Sequence, residues 1–156
     1  ENGMYFVTIC TQNRKNLFSE IIHGESILSQ AGRMVSGKLK EGLPSCPNIL
    51  ADKYVIMPNH VHAILWARYG REEEGGGTTR GSFPTGVSEY VKRFKTLTTR
   101  LYIDGVRNGL YPPFEKRLWQ KSFYDHIIRD ERDYMNHWTY IDENPARWRE
   151  DDYYEE

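Results

Sequence analysis

His60 and His62 are the residues whose type and spacing most directly suggest chemistry. They flank Val61 in a strand-like run that follows the Pro58-Asn59 pair. Successive side chains of a strand point to opposite faces, so the two imidazoles share a face, about 6–7 Å apart along the chain. Two imidazoles placed in this way can bind one metal ion. A pair of polar side chains on a solvated sheet face gives the same pattern, so a third group is needed to distinguish the two interpretations.

Tyr140 and Asn144, near the end of the chain, are the next candidates. The sequence after Asp130 predicts a helix, whose core-facing stripe would be Tyr134, Trp138 and Ile141. A second stripe, roughly 90° further round, contains His137, Tyr140 and Asn144. Tyr140 and Asn144 are then neighbours one turn apart, and Pro145 disfavours helical geometry at Asn144 and ends the helix near it. A structural tyrosine before a helix-ending Asn-Pro pair is the alternative interpretation.

Four segments, taken together, carry a more specific signal. In chain order they are YFVTICTQNR, MPNHVHAILW, LWQKSFYDHIIRDE and YIDENPARW. They resemble the REP-associated tyrosine transposases, which belong to the single-tyrosine, His-hydrophobic-His superfamily of insertion-sequence transposases. The resemblance extends from Tyr5 to Trp148 and implies a ferredoxin-like fold. It also implies an endonuclease and strand transferase that acts on single-stranded DNA beside a hairpin, as a monomer or a homodimer.

The resemblance also implies roles for individual residues. His60, His62 and Asn144 would hold a divalent metal, and Tyr140 would be the nucleophile that forms a 5′-phosphotyrosine. His126 matches a family position near the active site, where it would orient a phosphate or simply pack. The family implies Mg²⁺ or Mn²⁺, although imidazole ligands by themselves suit zinc or manganese better than magnesium. His126, His137 and water are the candidate bases for the tyrosine proton.

Basic residues in two places are candidate DNA contacts. Arg14 and Lys15 follow the first predicted strand, and four more lie on the helix that begins near Gly86: Lys92, Arg93, Lys95 and Arg100. A solvated helix face explains the second group equally well. The net charge is −1, but residues 150–156 contain five acids and no base, so residues 1–149 carry +4. The charge distribution therefore permits a nucleic-acid partner without requiring one.

The elements that must position these residues follow from periodicity. Strands are predicted over residues 4–11, 49–57, 61–66 and 118–128. Helices are predicted over 20–43, either continuous or after a short turn, over 86–102 with Thr85 as its cap, and from Asp130 onward. This order predicts a ferredoxin-like βαββαβ α+β sandwich with an antiparallel sheet, helices on one face and an added C-terminal helix that carries Tyr140.

Length and composition limit the remaining possibilities. The 156 residues predict one domain over 1–149, with a flexible glycine-rich loop at 71–83 and an acidic tail at 150–156. No apolar run approaches the roughly 20 residues that span a bilayer, and the first residues do not read as a signal peptide. Cys10 and Cys46 lack metal-ligand spacing and are expected to be buried thiols in a reducing cytoplasm.

Three rival functions remain open at this level. A ferredoxin-like sheet can bind RNA without catalysis, but the aromatic signature of an RNA-recognition motif is not found in the sequence. A zinc hydrolase built on the histidine pair would need another ligand and a general base, and neither stands out. A domesticated family member that binds and cuts its hairpin without moving an element cannot be separated from an active transposase by sequence.

Overall fold

The computed structural model describes residues 2–69 and 86–156. The strands are β1 (Gly3–Cys10), β2 (Ser19–Ile22), β3 (Glu25–Leu28), β4 (Ile49–Ile56), β5 (His60–Ala67) and β6 (Tyr124–Ile128). The helices are α1 (Gln30–Glu41), α2 (Val87–Arg107) and α3 (Glu131–Glu143), with 3-10 helices at Gln12–Arg14 and Pro145–Glu150. The predicted loop at 71–83 and the predicted cap Thr85 lie outside the described residues.

The main sheet has four strands in the order β4-β5-β1-β6, and all neighbouring pairs are antiparallel. With α1 between β1 and β4 and α2 between β5 and β6, this is the predicted ferredoxin-like βαββαβ arrangement. The fold class is therefore confirmed. In the pairing of β1 with β5, Cys10 lies opposite His60 and Thr8 opposite His62, which places both histidines at one end of the sheet centre.

The two faces of the sheet are covered by different helices. Val7 and Ile9 of β1 lie in the main core, which includes the buried apolar residues of α1 and α2. Phe6 points to the opposite face, as strand alternation requires, and packs there with Ile64 and Ile141 of α3. The prediction of helices on one face thus holds for α1 and α2. The added helix α3 covers the other face, which is the face that carries the histidines.

The first half of the predicted helix over 20–43 is wrong. Residues 19–28 form the β2-β3 hairpin, with Ile22 paired to Glu25 across a two-residue loop. His23 and Gly24 in that loop have φ of 51° and 74°. Two consecutive positive φ values define the turn that best matches the twist of a tight hairpin, and glycine adopts such a value without strain. The helix starts only after Ser29, whose hydroxyl accepts a hydrogen bond from the Gly32 amide.

The predicted strand over 118–128 is shorter than expected. Trp119 forms an isolated bridge with Thr11, and the ladder resumes only at Tyr124. The Lys95 ammonium donates to the carbonyls of residues 120, 121 and 122, at 2.8, 3.3 and 3.1 Å. Because those carbonyls bind a side chain of α2, they do not pair with a neighbouring strand, and the predicted strand is interrupted there. Helix α2 is longer than predicted and ends at Arg107, shortly before Gly109 with its φ of 71°.

Helix α3 begins as predicted. The Asp130 carboxylate accepts a 2.8 Å hydrogen bond from the Asp133 amide, which caps the first turn. The helix also ends at Glu143, but the backbone prediction for Asn144 is wrong, because its φ of −56° and ψ of −44° are helical. Pro145 starts a 3-10 helix there, and its missing N–H is no loss in a first turn. The chain therefore turns back without leaving helical geometry.

Cys10 and Cys46 are both buried and unpaired, as expected from their spacing. Within residues 2–69 and 86–156, none of the helices combines the length and apolarity that crossing a membrane requires.

Candidate active site

The β4-β5 hairpin holds the two histidines in a fixed orientation. Their ring centroids are 4.5 Å apart, and the residues are 0% and 1% exposed. The Nδ1 atom of His60 lies 2.8 Å from the Asn59 Oδ1, and the Nδ1 of His62 lies 2.7 Å from the Thr8 hydroxyl. Because the Asn59 oxygen can only accept, His60 carries its proton on Nδ1 and presents the Nε2 lone pair. This arrangement orients a metal-ligating imidazole.

Burial keeps both imidazoles neutral. It lowers the pKa of His60 to about 3, and it lowers the pKa of His62 well below its usual value, with the neighbouring His60 adding to the effect. A neutral imidazole is the form that binds a metal ion. At neutral pH, the pair is thus already in its ligating state.

Helix α3 places Tyr140 and Asn144 against the same face. The Tyr140 ring centroid lies 5.2 Å from that of His62, and the residue is 45% exposed. Asn144 is 4% exposed and interacts with His60, Tyr140 and Asp151. Burial raises the pKa of Tyr140 above its usual value, and the charge of Asp151 adds to the rise. A cavity of about 220 Å³ opens beside Tyr140, Asn144 and Asp151.

Asp151 belongs to this site, and sequence reasoning missed it. Its Oδ2 lies 3.9 Å from the Nε2 of His60, and its side chain is 3% exposed. Burial raises the pKa of its carboxyl above the usual range. The five acids at 150–156 predicted an acidic tail, and this prediction hid the one carboxylate of that segment that turns inward. The available signal was the Tyr153-Tyr154 pair within that segment, since a solvated tail has no need of two large aromatic residues.

The residues after Asp151 cover the histidines. The Tyr153 ring centroid is 4.6 Å from that of His60, and the Tyr153 carbonyl accepts a 2.7 Å hydrogen bond from the Asn59 amide. The Arg14 guanidinium donates to the Asp152 carbonyl at 3.0 Å and lies 5.6 Å from the centre of the Tyr153 ring. These contacts hold Tyr153 against the buried histidine pair.

Four buried polar atoms of the site have no hydrogen-bond partner: His60 Nε2, His62 Nε2, Asn144 Oδ1 and Asp151 Oδ2. A buried donor or acceptor without a partner costs about 1–3 kcal/mol. All four atoms can donate a lone pair, and His60, His62 and Asp151 form a group compact enough to hold one ion. Two imidazole nitrogens, an amide oxygen and a carboxylate oxygen fit a divalent metal, and such an ion would satisfy all of them at once.

The predicted supporting histidines form a separate cluster. Asp133 lies between them, with one carboxylate oxygen 2.8 Å from His126 Nε2 and the other 3.0 Å from His137 Nδ1. The two rings stack with centroids 4.8 Å apart. Phe6 separates this cluster from the buried pair, because its ring contacts both His137, at 4.7 Å, and His62, at 5.3 Å. The cluster ties β6 to the first turns of α3, the helix that carries Tyr140.

The candidate DNA-binding residues divide into two groups. Three already have partners within the described chain: Arg14 with the Asp152 carbonyl, Arg93 with Glu89 and the Ser45 carbonyl, and Lys95 with three carbonyls. The other three are exposed: Lys15, Lys92 and Arg100. Their roles, like those of all the site residues above, stay predictions.

Comparison with known proteins decides the family. A protein of Haemophilus influenzae, provisionally named as a REP-associated tyrosine transposase, is 46% identical in an alignment of 154 positions that covers 94% of this chain and 72% of that protein. The chain belongs to the REP-associated tyrosine transposases. The Escherichia coli REP-associated tyrosine transposase is 24% identical over 94% of the chain and 68% of its own length. An uncharacterised H. influenzae protein is 30% identical over 97% of the chain and 85% of its own length.

Solved structures of REP-associated and other transposases support the fold. One is a REP-associated tyrosine transposase bound to a REP hairpin, with a TM-score of 0.55 and 22% identity over 93% of this chain and 67% of that one. The other is a Deinococcus radiodurans protein, provisionally named as a transposase, with a TM-score of 0.55 and 15% identity over 91% and 90%. No protein-family model matches the chain.

Proposed function

We propose that this REP-associated tyrosine transposase cuts and rejoins single-stranded DNA beside a hairpin, with a divalent metal and a covalent link to Tyr140. The observation that carries the proposal is the convergence of four unpartnered lone-pair atoms next to a half-exposed tyrosine. A binding module without catalysis has no need to bury such atoms together. A metal bound by them, Mg²⁺ or Mn²⁺, would polarise a non-bridging oxygen of the scissile phosphate.

The chain's own residues supply the remaining chemistry. The Tyr140 oxygen attacks phosphorus, a phosphorus–oxygen bond to the neighbouring nucleotide breaks, and the products are a 5′-phosphotyrosine and a 3′-hydroxyl. The raised pKa of Tyr140 means that the phenol holds its proton at neutral pH and must lose it during attack. The half-exposed phenol can pass that proton to solvent water. Attack by a DNA 3′-hydroxyl reverses the step and rejoins strands without an external energy source.

Residues 152–155 cover part of the site. Tyr153 lies against His60, and both histidines are almost completely buried. A phosphate would approach the Nε2 atoms from the cavity beside Tyr140, or after residues 152–155 have moved away. Asn144 and Asp151 line that cavity, which gives the phosphate a route to the nucleophile.

The test is an adduct assay with hairpin-bearing single-stranded DNA from beside the gene, in Mg²⁺ or Mn²⁺. A denaturing gel should show a protein–DNA adduct that is absent with chelator and absent with Tyr140→Phe. The matched control is Tyr124→Phe, which also removes the hydroxyl of an exposed tyrosine, on β6, and should still form the adduct. Cleavage that survives Tyr140→Phe would reject Tyr140 as the nucleophile. Hairpin binding without cleavage would favour a domesticated or non-catalytic binding module.

A further inference from the structure

A basic groove of about 700 Å³ lies between the second half of α2 and the segment from Phe114 to Lys121. Its lining includes six basic side chains: Lys95, Arg100, Arg107, Lys116, Arg117 and Lys121. Asp104 is the one acid in that lining. This concentration of charge stands out because the whole chain has a net charge of −1.

Most of these charges have no internal partner. Lys95 is bound to three carbonyls, but the other five side chains make no ion pair or hydrogen bond with residues that the structure describes. Some basic residues elsewhere are paired, such as Lys53 with Asp142 at 2.8 Å, but none of the five belongs to such an ion pair. Like charges gathered without counter-charges repel one another, and a polyanion in the groove would relieve that repulsion.

The backbone at Lys116 gives a second, independent observation. Lys116 has a φ of 61°, in the left-handed region that favours glycine. A lysine held there is strained, and such strain concentrates at functional sites. Glycine would fit this position with less strain, so the structure keeps an exposed ammonium at the edge of the groove at a cost in stability.

The groove and the candidate active site lie at the same end of the sheet, on opposite faces. The segment from Leu118 to Gln120 runs beside the end of β1, through hydrogen bonds from the Gln12 amide to the Leu118 carbonyl and from the Gln120 amide to the Cys10 carbonyl, both 2.9 Å. Cys10 is the residue paired with His60 across the sheet. The groove lies on the α1 and α2 side of the sheet and the histidines face α3, so a DNA strand that leaves the groove at Lys121 would pass round this end of the sheet to reach them.

We propose that this groove binds the phosphodiester backbone of the hairpin stem and delivers the adjoining unpaired strand to Tyr140. The inference rests on the proposed function and adds where the stem lies. The groove suits a stem more than unpaired bases, because its Trp119 is 3% exposed and its Phe114 packs against the core, so neither ring offers a stacking platform. Basic side chains without stacking rings contact phosphates and position DNA without reading its sequence.

Fluorescence anisotropy in chelator measures the affinity for hairpin DNA while cleavage is prevented, and so tests the groove as the binding site for the stem. The test variant is Arg107→Glu with Lys121→Glu, and the matched control is Arg33→Glu with Lys40→Glu on α1, which changes the charge equally at exposed positions outside the groove. The test variant should bind hairpin DNA at least about tenfold more weakly, and the slope of log affinity against log salt should fall by roughly 2. The control should stay close to wild type.

Three results would overturn the inference. Equal weakening in the test and control variants would mean a general charge effect. Equal weakening for the hairpin and for an unpaired oligonucleotide of the same length would mean that the groove does not select a stem. Unchanged hairpin binding by the test variant would exclude the groove, and a wild-type adduct in the presence of metal would show that the proposed function survives that failure. Wild type that neither binds nor cuts the hairpin would reject both proposals.

Lys116→Gly separates binding from folding. It removes the charge and the backbone strain together, so its melting temperature should rise while its affinity for the hairpin falls. A variant that melts higher and binds the hairpin as tightly as wild type would show that the strained lysine does not serve DNA binding.

Discussion

Asn144→Leu gives a sharp test of the metal site, because it should affect the metal-free and metal-bound protein differently. In wild type, Asn144 Oδ1 is a buried acceptor without a hydrogen-bond partner. Such an atom costs about 1–3 kcal/mol, which an apolar Leu side chain removes, but the contacts of Asn144 with His60, Tyr140 and Asp151 are lost at the same time. Because these two effects oppose each other, the free energy of unfolding of Asn144→Leu in chelator should lie within about 1–2 kcal/mol of that of wild type.

Bound metal should stabilise wild type more than it stabilises Asn144→Leu. A ligand that binds the native state at 100 times its Kd stabilises it by about 2.7 kcal/mol. For a chain of this length, about 1 kcal/mol shifts Tm by about 2–4 °C, so Mn²⁺ should raise the wild-type Tm by about 5–11 °C over chelator. Asn144→Leu lacks one of the four ligand atoms, and a tenfold loss of affinity would remove about 1.4 kcal/mol of that gain.

The assay is urea and thermal unfolding of both proteins in chelator and in Mn²⁺. His126→Gln is the control, because it alters the second histidine cluster and should keep the full metal increment if the ion binds at His60 and His62. A metal increment in Asn144→Leu as large as in wild type would refute the assignment of its amide as a ligand. A loss of several kcal/mol in chelator would refute the argument from unsatisfied atoms.

Three further predictions concern the tail, the second cluster and the fold. Tyr153→Ala should uncover the histidines and increase the initial rate of adduct formation; a slower rate would show that the tail supports the site. The hydrogen bond with His126 lowers the pKa of the Asp133 carboxyl in the folded protein. The ionised carboxylate therefore stabilises the fold above the usual carboxyl pKa, and this stabilisation disappears as pH falls through the lower folded value. Urea unfolding should thus show that the free energy of unfolding falls less between pH 5 and pH 3 in Asp133→Asn than in wild type. Gly32→Ala should lower the urea midpoint, because its Cβ would overlap the Phe18 carbonyl. Gly37→Ala on the same helix meets only a Glu41 carboxylate oxygen at 3.8 Å, an ordinary contact, and should add about 0.5–1 kcal/mol.

Local periodicity was enough to predict part of the site. Strand alternation puts His60 and His62 on one face wherever β5 lies, and the helical period puts Tyr140 and Asn144 one turn apart. Both relations involve residues only a few positions apart, so they do not depend on how the strand or the helix packs against the rest of the protein. The cap at Asp130 was predictable for the same reason, since its partner is the amide three residues later.

Local turns caused the errors in the fold. The His23-Gly24 pair has apolar residues on both sides that fit a helical or a strand pattern, and the positive φ values that decide between them depend on hairpin pairing. The break before β6 depends on Lys95, whose ammonium reaches from another element to three carbonyls. A side chain that interrupts a strand from a distance leaves no periodic signal in the strand itself.

The sequence by itself determined which side chains within each element share a face, and its motifs indicated the family. Tertiary structure alone decided that α3 lies across the histidine face, because Phe6, Ile64 and Ile141 meet there from three separate elements. It also brought Asp151 to His60, 91 positions away in the printed sequence. Contacts of this kind depend on how faces pack and on which polar atoms are left without partners, and neither is encoded in the spacing of residues along one segment.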